Sequence, residues 1–509
     1  MSKITRRRFL EDSLIATTTA AAAVSGISSG VLPHLALAQT SANEKVGMMV
    51  VGCGGRGHDH INAFTRDPRV AILYLCDPDP RRVKQDIIDR IAESQDGLKP
   101  IVIPDLRKGL DDKNVETISC ATTNHWHALT GIWAMEAGKH CYIEKPICFN
   151  IHEGKALAAA SKKYNRVVQT GTQCRSANAN IEAVAFVQSG GIGEVKFARG
   201  LCYKRRASIG PLGEYKVPEG VDYDVWSGPA PILPQTRPRF DYDWHWQRQY
   251  GNGDLGNQGP HQTDIARWHL GIERFPNSVV TYGGRLGYQA EKDDENFVDA
   301  GDTANTEVSI YDYGDKCIVF ETRGLDTPAL SISTEKGGGA KVGVIIYGSE
   351  GYVVQSEYGY SAAFDLEGKR FKEFKGGNDA GHYAEFIAAA IKGDPSAVSA
   401  PARCGALSAG LSHLGNISYY MGENNKLSVA DIKKALDAVK SFDQNEETLD
   451  RTVEHLKANG VDLDKYKMSL GPMLKFDPEK EVFVGDRADE ANALATREYR
   501  APYVVPEIS

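Results

Sequence analysis

The sequence predicts an α/β chain: an N-terminal doubly wound parallel sheet, then a C-terminal α+β domain on a largely antiparallel, open sheet. Three observations predict it. From Glu44 to about Thr170, short apolar runs alternate with helical stretches, the pattern of βαβ units. A glycine loop, Gly52-Cys53-Gly54-Gly55-Arg56-Gly57, follows the first of these runs. From about Gly171 strand-like runs follow one another, as in an antiparallel sheet.

The first strand is Val46-Gly47-Met48-Met49-Val50-Val51, and His58 to Phe64 reads as the start of a helix. Strand, G-x-G-x-x-G turn and helix in that order make a dinucleotide-binding (Rossmann) unit. Gly52 allows the tight turn, Gly54 the approach of a pyrophosphate and Gly57 close packing of helix on strand. The pyrophosphate would sit at the helix N-terminus, where free N–H groups and the helix dipole favour an anion. Asp77 stands about 20 positions on, at the end of Val70–Cys76, where a ribose-binding acid is expected. Further strands are predicted at 101–103, 116–121, 140–143 and 166–170. Helices are predicted at Pro80–Ser94 and Ala128–Ala137, with Gly138-Lys139-His140 as a helix stop.

Beyond Gly171 a helix near Asn180–Gln188 precedes strands at Glu194–Tyr203, Ser278–Tyr282, Thr306–Tyr311, Lys316–Glu321, Ala340–Tyr347 and Tyr352–Gln355. Helices are expected at His382–Lys392, Ala406–Met421 and Val429–Phe442. The insertion Ser208–Tyr250 is rich in Pro, Trp, Tyr and Asp, a lining suited to a sugar; Trp244 and Trp246 are its candidate substrate contacts. The charged tail reads as an extended arm over the domain or a neighbouring subunit, with disorder as the alternative. The resulting division is 1–38 a signal peptide, 39–172 a nucleotide-binding domain, 173–445 a substrate and oligomerisation domain, and 446–509 an extension.

The 509 residues carry a net charge of -8, with 41% hydrophobic and 25% charged residues, which offers no basic field for nucleic acid. No apolar run in the mature chain is long enough to span a bilayer. Thr5-Arg6-Arg7-Arg8-Phe9-Leu10 and the Ala/Ser/Thr-rich stretch behind it resemble a twin-arginine export signal. Ala36-Leu37-Ala38 matches a cleavage site, giving a mature chain from Gln39, a periplasmic address and the twin-arginine export machinery as a partner. An uncleaved anchoring N-terminus is the alternative. Nine scattered cysteines with no C-x-x-C pair argue against a disulfide framework.

Three further clusters carry chemistry. Thr123-Asn124-His125-Trp126-His127 follows the strand Thr117–Ala121, at the end where open α/β sheets bind ligands. His125 and His127 lack nearby partners to complete a metal set, so contact with the nicotinamide half of a cofactor is expected and no metal, with hydrogen-bonded histidines in a helix-start loop as the alternative. Glu144-Lys145-Pro146 also lies just past a strand. An ammonium desolvated there can exchange a proton with a hydroxyl. Asn257 and His261 are four apart, hence on one side of a helix, and His261 can move a proton near neutral pH. Asp264 is placed to cap or orient. Arg82 and Gln173 join the candidate cofactor contacts, and Arg175 and Asp264 the candidate substrate contacts.

Taken together, Gly52–Gly57, Asn124-His125-Trp126-His127, Glu144-Lys145-Pro146 and Gly259-Pro260-His261 with Asp264 resemble the Gfo/Idh/MocA family, which includes glucose–fructose oxidoreductase and inositol dehydrogenase. Val221–Pro229 and Gly256-Asn257-Gln258-Gly259 resemble an exported branch of it found in carbohydrate-degrading bacteria. The resemblance implies a Rossmann domain, a second α/β domain whose open sheet often builds dimers or tetramers, and Lys145 and His261 at the reacting carbon. The family's commoner pattern is Asp-x-Gly-x-His, and here Asn257 takes the first place. An amide cannot take a proton as a carboxylate does, so Lys145 and His261 must share that work, with Asn257 orienting the sugar. The expected activity is oxidation of a secondary hydroxyl of a carbohydrate with tightly held NAD. Arg81 and Arg82 keep NADP open. A glycosidase that oxidises, eliminates and re-reduces on NAD is the first alternative, and a sugar-binding protein with a structural nucleotide is the second.

Overall fold

The computed structural model describes residues 45–328 and 340–508. The expected export signal and its cleavage point lie outside the described residues. The first half is built from β1 (Val46–Val51), α1 (Gly55–Thr65), β2 (Val70–Cys76), α2 (Gln85–Ser94), β3 (Ile101–Ile103) and α3 (Arg107–Leu110). It continues with β4 (Thr117–Cys120), α4 (His127–Glu136), β5 (His140–Ile143), α5 (Ile151–Tyr164) and β6 (Val168–Thr170). Six parallel strands lie in the order β3-β2-β1-β4-β5-β6. Successive β1 residues face opposite layers. Met48 and Val50 pack with Ile61 and Phe64, while Met49 and Val51 pack with Leu129 and Ile132. The order reverses between β1 and β4, which opens a crevice beyond their C-terminal ends. The expected helix Pro80–Ser94 divides: Pro80–Arg82 is a 3₁₀ turn capped by the Asp79 carboxylate, which accepts from Arg81 N, and α2 begins at Gln85.

The second half runs α6 (Asn178–Gln188), β7 (Val195–Cys202), α7 (Tyr223–Ser227), α8 (Gly253–Leu270), β8 (Ser278–Gly284), α9 (Tyr288–Lys292), β9 (Thr306–Asp312) and β10 (Cys317–Arg323). It goes on through β11 (Val342–Gly348), β12 (Tyr352–Glu357), β13 (Tyr360–Phe364), β14 (Arg370–Lys375), α10 (Asp379–Lys392), α11 (Ala402–Met421), β15 (Lys426–Leu427) and α12 (Val429–Leu436). The last elements are α13 (Asn445–Ala458), β16 (Met468–Leu470), β17 (Leu474–Asp477), β18 (Val482–Val484) and α14 (Ala488–Leu494). Twelve strands form one sheet, with the main path β14-β13-β12-β11-β7-β10-β9-β8-β16-β15. Its pairings are antiparallel except β7 with β10. Helix α8 lies buried between this sheet and α11, with Leu255, Ile265, Phe320, Leu411 and Leu414 in one core. Each such fully buried side chain contributes about 1.5–3 kcal/mol.

Two expectations change. The chain does not stay in the second half after residue 173. Helix α10 returns to the first sheet, where Tyr383, Phe386 and Ile387 join Phe64 and Tyr142 in one core. Pro401 bridges to Gln169, and Thr170 N donates to Ala400 O at 2.8 Å. The tail is also only partly an arm. Leu449 and Leu456, fully buried on α13, pack with Val280, Val308 and Val319 of the second sheet, and β16, β17 and β18 extend that sheet. The end of the chain does lie across the first half, with Tyr503 against Trp126 at a ring distance of 5.4 Å. Helix α12 stops at Leu436, short of the expected Phe442. All nine cysteines are unpaired thiols, eight of them buried.

Candidate active site

A cavity of about 560 Å³ opens at the crevice between β1 and β4, within the usual range for small-molecule and cofactor sites. One end is the glycine turn. Gly52 sits at φ +84°, and a Cβ there would lie 2.6 Å from Ala121 O. At Gly57 a Cβ would lie 2.0 Å from Gly52 O, so only glycine lets α1 start so close to β1. Gly54 is the N-cap of α1 and supplies no side-chain cap, and around Gly55 a Cβ would meet nothing within 4 Å. The first-turn N–H groups are thus left for an outside acceptor. These features fit the pyrophosphate of a dinucleotide.

Asp77 follows β2. Its carboxylate accepts from Cys53 N at 2.8 Å and Asp79 N at 2.9 Å. Burial pushes its pKa up to about 6 against the pull of those hydrogen bonds. Arg82 lies over Gly54, with its Cδ 3.4 Å from where a Cβ would be. It pairs with Asp79 at 3.3 Å and with Asp241 from the aromatic insertion.

At the end of β5 stands Glu144, 4% exposed. It accepts from Arg56 Nε at 3.0 Å, Gln173 Nε2 at 3.1 Å, His60 Nε2 at 3.2 Å and Lys145 N at 3.1 Å. Burial would raise this carboxyl, but the His60 hydrogen bond and the Arg56 charge outweigh it and hold it well below the usual carboxylate range. Lys145 Nζ donates to Asn257 O at 2.8 Å and to Asn257 Oδ1 at 3.3 Å. Burial lowers its pKa to about 8; Glu144 opposes the shift, while Arg56, Lys204 and Arg206 add to it. One turn along α8, His261 Nε2 lies 3.4 Å from Tyr358 Oη, and its Nδ1 is buried with no partner among the described residues. Burial, then the Lys145 charge, lowers its pKa to about 3. His261 is therefore a neutral hydrogen-bonding group here, not the near-neutral proton carrier its residue type suggests.

Of the predicted contacts, Gly52, Gly54, Gly55, Arg56, Asp77, Arg82, Thr123, Asn124, Trp126, Glu144, Lys145, Gln173, Trp244, Asn257 and His261 line the cavity. Six do not. Cys53 Sγ is buried beneath the turn, near the Val50 and Cys76 carbonyls. Gly57 packs against Gly52. The His125 ring is spent between Tyr250 O at 3.2 Å and Trp226 O at 3.1 Å. Trp246 is buried behind the wall with Arg206 over its ring at 5.5 Å. Arg175 and Asp264 form a bidentate pair at 2.8 and 3.0 Å, which Ser408 Oγ joins at 2.7 Å. That group ties α8 to the turn after β6 and to α11 and does not line this cavity.

The structure adds His127, Lys204, Arg206, His245, Gln258 and Tyr358 to the lining. His127 is held by Pro146 O at 2.6 Å and Thr122 O at 3.2 Å. Lys204 and Arg206 had a local signal: they continue β7 at a spacing of two, hence on one side. Tyr358 had none. The turn between β12 and β13 brings it in from far along the chain. Among the described residues no group of three or more His, Cys, Asp or Glu is placed to hold a metal, and no helix is long and apolar enough to cross a membrane.

Comparison with known proteins agrees with this architecture. Residues 46–172 match the family described as "Oxidoreductase family, NAD-binding Rossmann fold". Residues 200–329 match "Oxidoreductase family, C-terminal alpha/beta domain". Levoglucosan dehydrogenase of Pseudarthrobacter phenanthrenivorans is 29% identical over 178 residues, 35% of this chain and 38% of that protein. Inositol 2-dehydrogenase of Salmonella paratyphi B is 26% identical over 174 residues, 34% of this chain and 49% of that protein. Glycosyl hydrolase family 109 protein 1 of Shewanella sp. MR-4 is 30% identical over 169 residues, 30% of this chain and 36% of that protein. The chain thus matches less than half the length of these curated relatives. The solved levoglucosan dehydrogenase complex with NADH and levoglucosan has the same fold, with a TM-score of 0.53 at 18% identity over 73% of this chain and 96% of that one. With both halves matched in order and a nucleotide crevice at their junction, this chain belongs to the Gfo/Idh/MocA family of NAD-binding oxidoreductases.

Proposed function

We propose that this protein oxidises a secondary hydroxyl of a sugar or sugar derivative, with Lys145 as the proton acceptor. The observation that carries the reading is the Lys145 ammonium, held by two oxygens of Asn257 in the cavity that begins at the glycine turn. With a pKa of about 8, roughly a tenth of Lys145 is neutral at pH 7. Asn257 O and Oδ1 take two of its hydrogens, which leaves one position on Nζ for the substrate hydroxyl. His261 lines the same cavity one turn along α8. A bound nicotinamide would supply the hydride acceptor. The hydroxyl proton goes to Nζ as the carbon–oxygen double bond forms. Replacing Lys145 with Ala tests the assignment: turnover of NAD with an active sugar should fall by 10²-fold or more, the usual size of a lost general base. Unchanged turnover would remove Lys145 from the chemistry.

NAD is favoured over NADP by the ribose end. Asp77, Asp79 and Asp241 gather there, and Arg82 is already committed to two of them. A 2′-phosphate would face carboxylates. In this reading the cofactor is captive: a chain with the Arg6-Arg7 leader leaves the cytoplasm folded, for a compartment with little free NAD. Mass spectrometry of what leaves the denatured, purified protein tests both points. NAD at near one per chain is expected, and its absence would sink the captive reading. The likeness to the Shewanella glycosyl hydrolase keeps a redox-neutral hydrolysis as a second reading. Release of the aglycone from an aryl glycoside without net NADH would replace the first reading with that one.

A further inference from the structure

The charges lining the cavity are unevenly placed. Its acids are Asp77, Asp79, Asp241 and Glu144. The three aspartates lie with Arg81 and Arg82 near the glycine turn. Glu144 is fully engaged by Arg56, His60, Gln173 and the Lys145 N–H. Glu144 is the lining carboxylate of the reacting end, and it is already taken up by these groups. The reacting end also has Lys145, Lys204 and Arg206, whose charges disfavour one another. Arg206 is balanced from behind by buried Asp254, Nε to Oδ1 at 2.8 Å. Lys204 feels the same Asp254 charge only at a distance, and burial and Arg206 outweigh it so that its pKa is lowered. Among the described residues its partner is the neutral amide of Gln258, Nζ to Oε1 at 2.8 Å, and it forms no ion pair.

Lys204 is half-buried, and an ammonium partly withdrawn from water beside other cations is stabilised when an anion meets it. One of its three hydrogens goes to Gln258, so two remain for a ligand. The Arg206 guanidinium has its Nε on Asp254 and lines the same cavity. We propose that the substrate is an acidic sugar: its carboxylate or phosphate group is received by Lys204, supported by Arg206, while a hydroxyl elsewhere on the ring faces Lys145. This rests on the sugar-oxidising reading and narrows it.

The test uses the purified, NAD-loaded full chain and two readouts, equilibrium binding by calorimetry and NADH formation. The probes are glucuronate, galacturonate and mannuronate, the matching 6-phosphates, and glucose, galactose and mannose. At least one acid should bind about tenfold or more tighter than its neutral counterpart, the scale of a hydrogen bond to a charged group. That advantage should shrink as salt is raised. A preference confined to uronates assigns a carboxylate, and one confined to the phosphates assigns a phosphate ester. In Lys204→Met the ratio of acid to neutral dissociation constants should collapse toward one, and Lys204→Arg should restore most of it. Because the readout is a ratio within one variant, a folding loss does not mimic the effect. Neutral sugars bound and oxidised as well as their acids, or an unchanged ratio in Lys204→Met, would overturn the proposal while leaving sugar oxidation standing. Acids bound selectively with no NADH formed would overturn the oxidation and leave the anion site. No binding of any acid would overturn the anion site.

Discussion

Replacing Asn257 with Asp should disable the protein at neutral pH and restore it in alkali. Asn257 Oδ1 lies 3.3 Å from Lys145 Nζ and carries no charge. A carboxylate there would attract the ammonium by ~5 kcal/mol at an effective dielectric of 20. That is an upper figure of ~3.7 pKa units, since one unit is worth about 1.36 kcal/mol. Opposite charges this close move measured values by about one to three units. The neutral amine is the reactive form, so a rise from about 8 to between ~9 and ~11 lowers its share at pH 7 by roughly 10- to 1,000-fold. The assay is kcat/KM for the best substrate from pH 6 to 11, whose acid limb reports the free enzyme's base. The limb should sit near 8 in the parent and move to higher pH in Asn257→Asp. Asn257→Ala should leave it close to 8, because the backbone oxygen at 2.8 Å remains. A limb in Asn257→Asp that stays at 8 or moves to lower pH would refute the reasoning. The second outcome would mean that the new carboxylate, not Lys145, takes the proton.

Other consequences are as direct. Gly57→Ala would put a Cβ 2.0 Å from Gly52 O, so purified protein should carry little or no NAD, whereas Gly55→Ala, which meets nothing within 4 Å, should keep the parent's urea midpoint. Arg175→Ala leaves Asp264, fully buried, without its bidentate partner. It should cost about 3–5 kcal/mol in urea unfolding, with the acid limb of the rate profile still near 8. Glu307 is buried with Oε2 unpartnered, and burial raises its pKa to about 8. A raised folded-state pKa means that its stability contribution is fully present below about pH 4.5, is lost progressively as pH rises, and is gone above about 8. Glu307→Gln should therefore be nearly neutral at pH 5 and stabilise the fold at pH 9 by up to ~5 kcal/mol, read from urea midpoints at the two values.

The first sheet was legible because its signals are local. Each strand–helix unit closes within about 30 residues, and the glycine turn carries its geometry in six consecutive positions. The second sheet was less so where strands are short or exposed. In β14, Arg370-Phe371-Lys372-Glu373-Phe374-Lys375 buries only Phe374, so apolar alternation hardly shows. In β16 and β17 runs of three or four residues join the sheet by pairing with β8, which lies far back in the chain, and β18 joins through β17. Helix α13 had a visible apolar stripe in Leu449, Val453 and Leu456, masked by the charge around it. The misplacing of Asp264 has a geometric cause. Asn257 and Asp264 are seven residues apart on α8 and share a face, but the helix advances 1.5 Å per residue. Asp264 therefore lies about 10 Å further along, past the floor of the cavity and against Ser408. Sequence spacing gave the face and not the depth.

The neutral residue at 257 and the unpaired cation at 204 also bear on each other. Repulsion from Lys204 and Arg206 helps hold Lys145 at about 8. An anion bound at Lys204 would cancel part of that repulsion and raise Lys145, against the need for a neutral amine. A carboxylate at 257 would add a second rise in the same direction. With both, Lys145 would return toward its ordinary value near 10.4 and be protonated throughout the neutral range. Asn257 keeps the hydrogen-bond geometry of a carboxylate without its charge. The departure at 257 thus suits a site whose negative charge arrives with the substrate. The double variant Asn257→Asp with Lys204→Met removes one cation and adds one anion beside Lys145, so its acid limb should lie above that of either single variant.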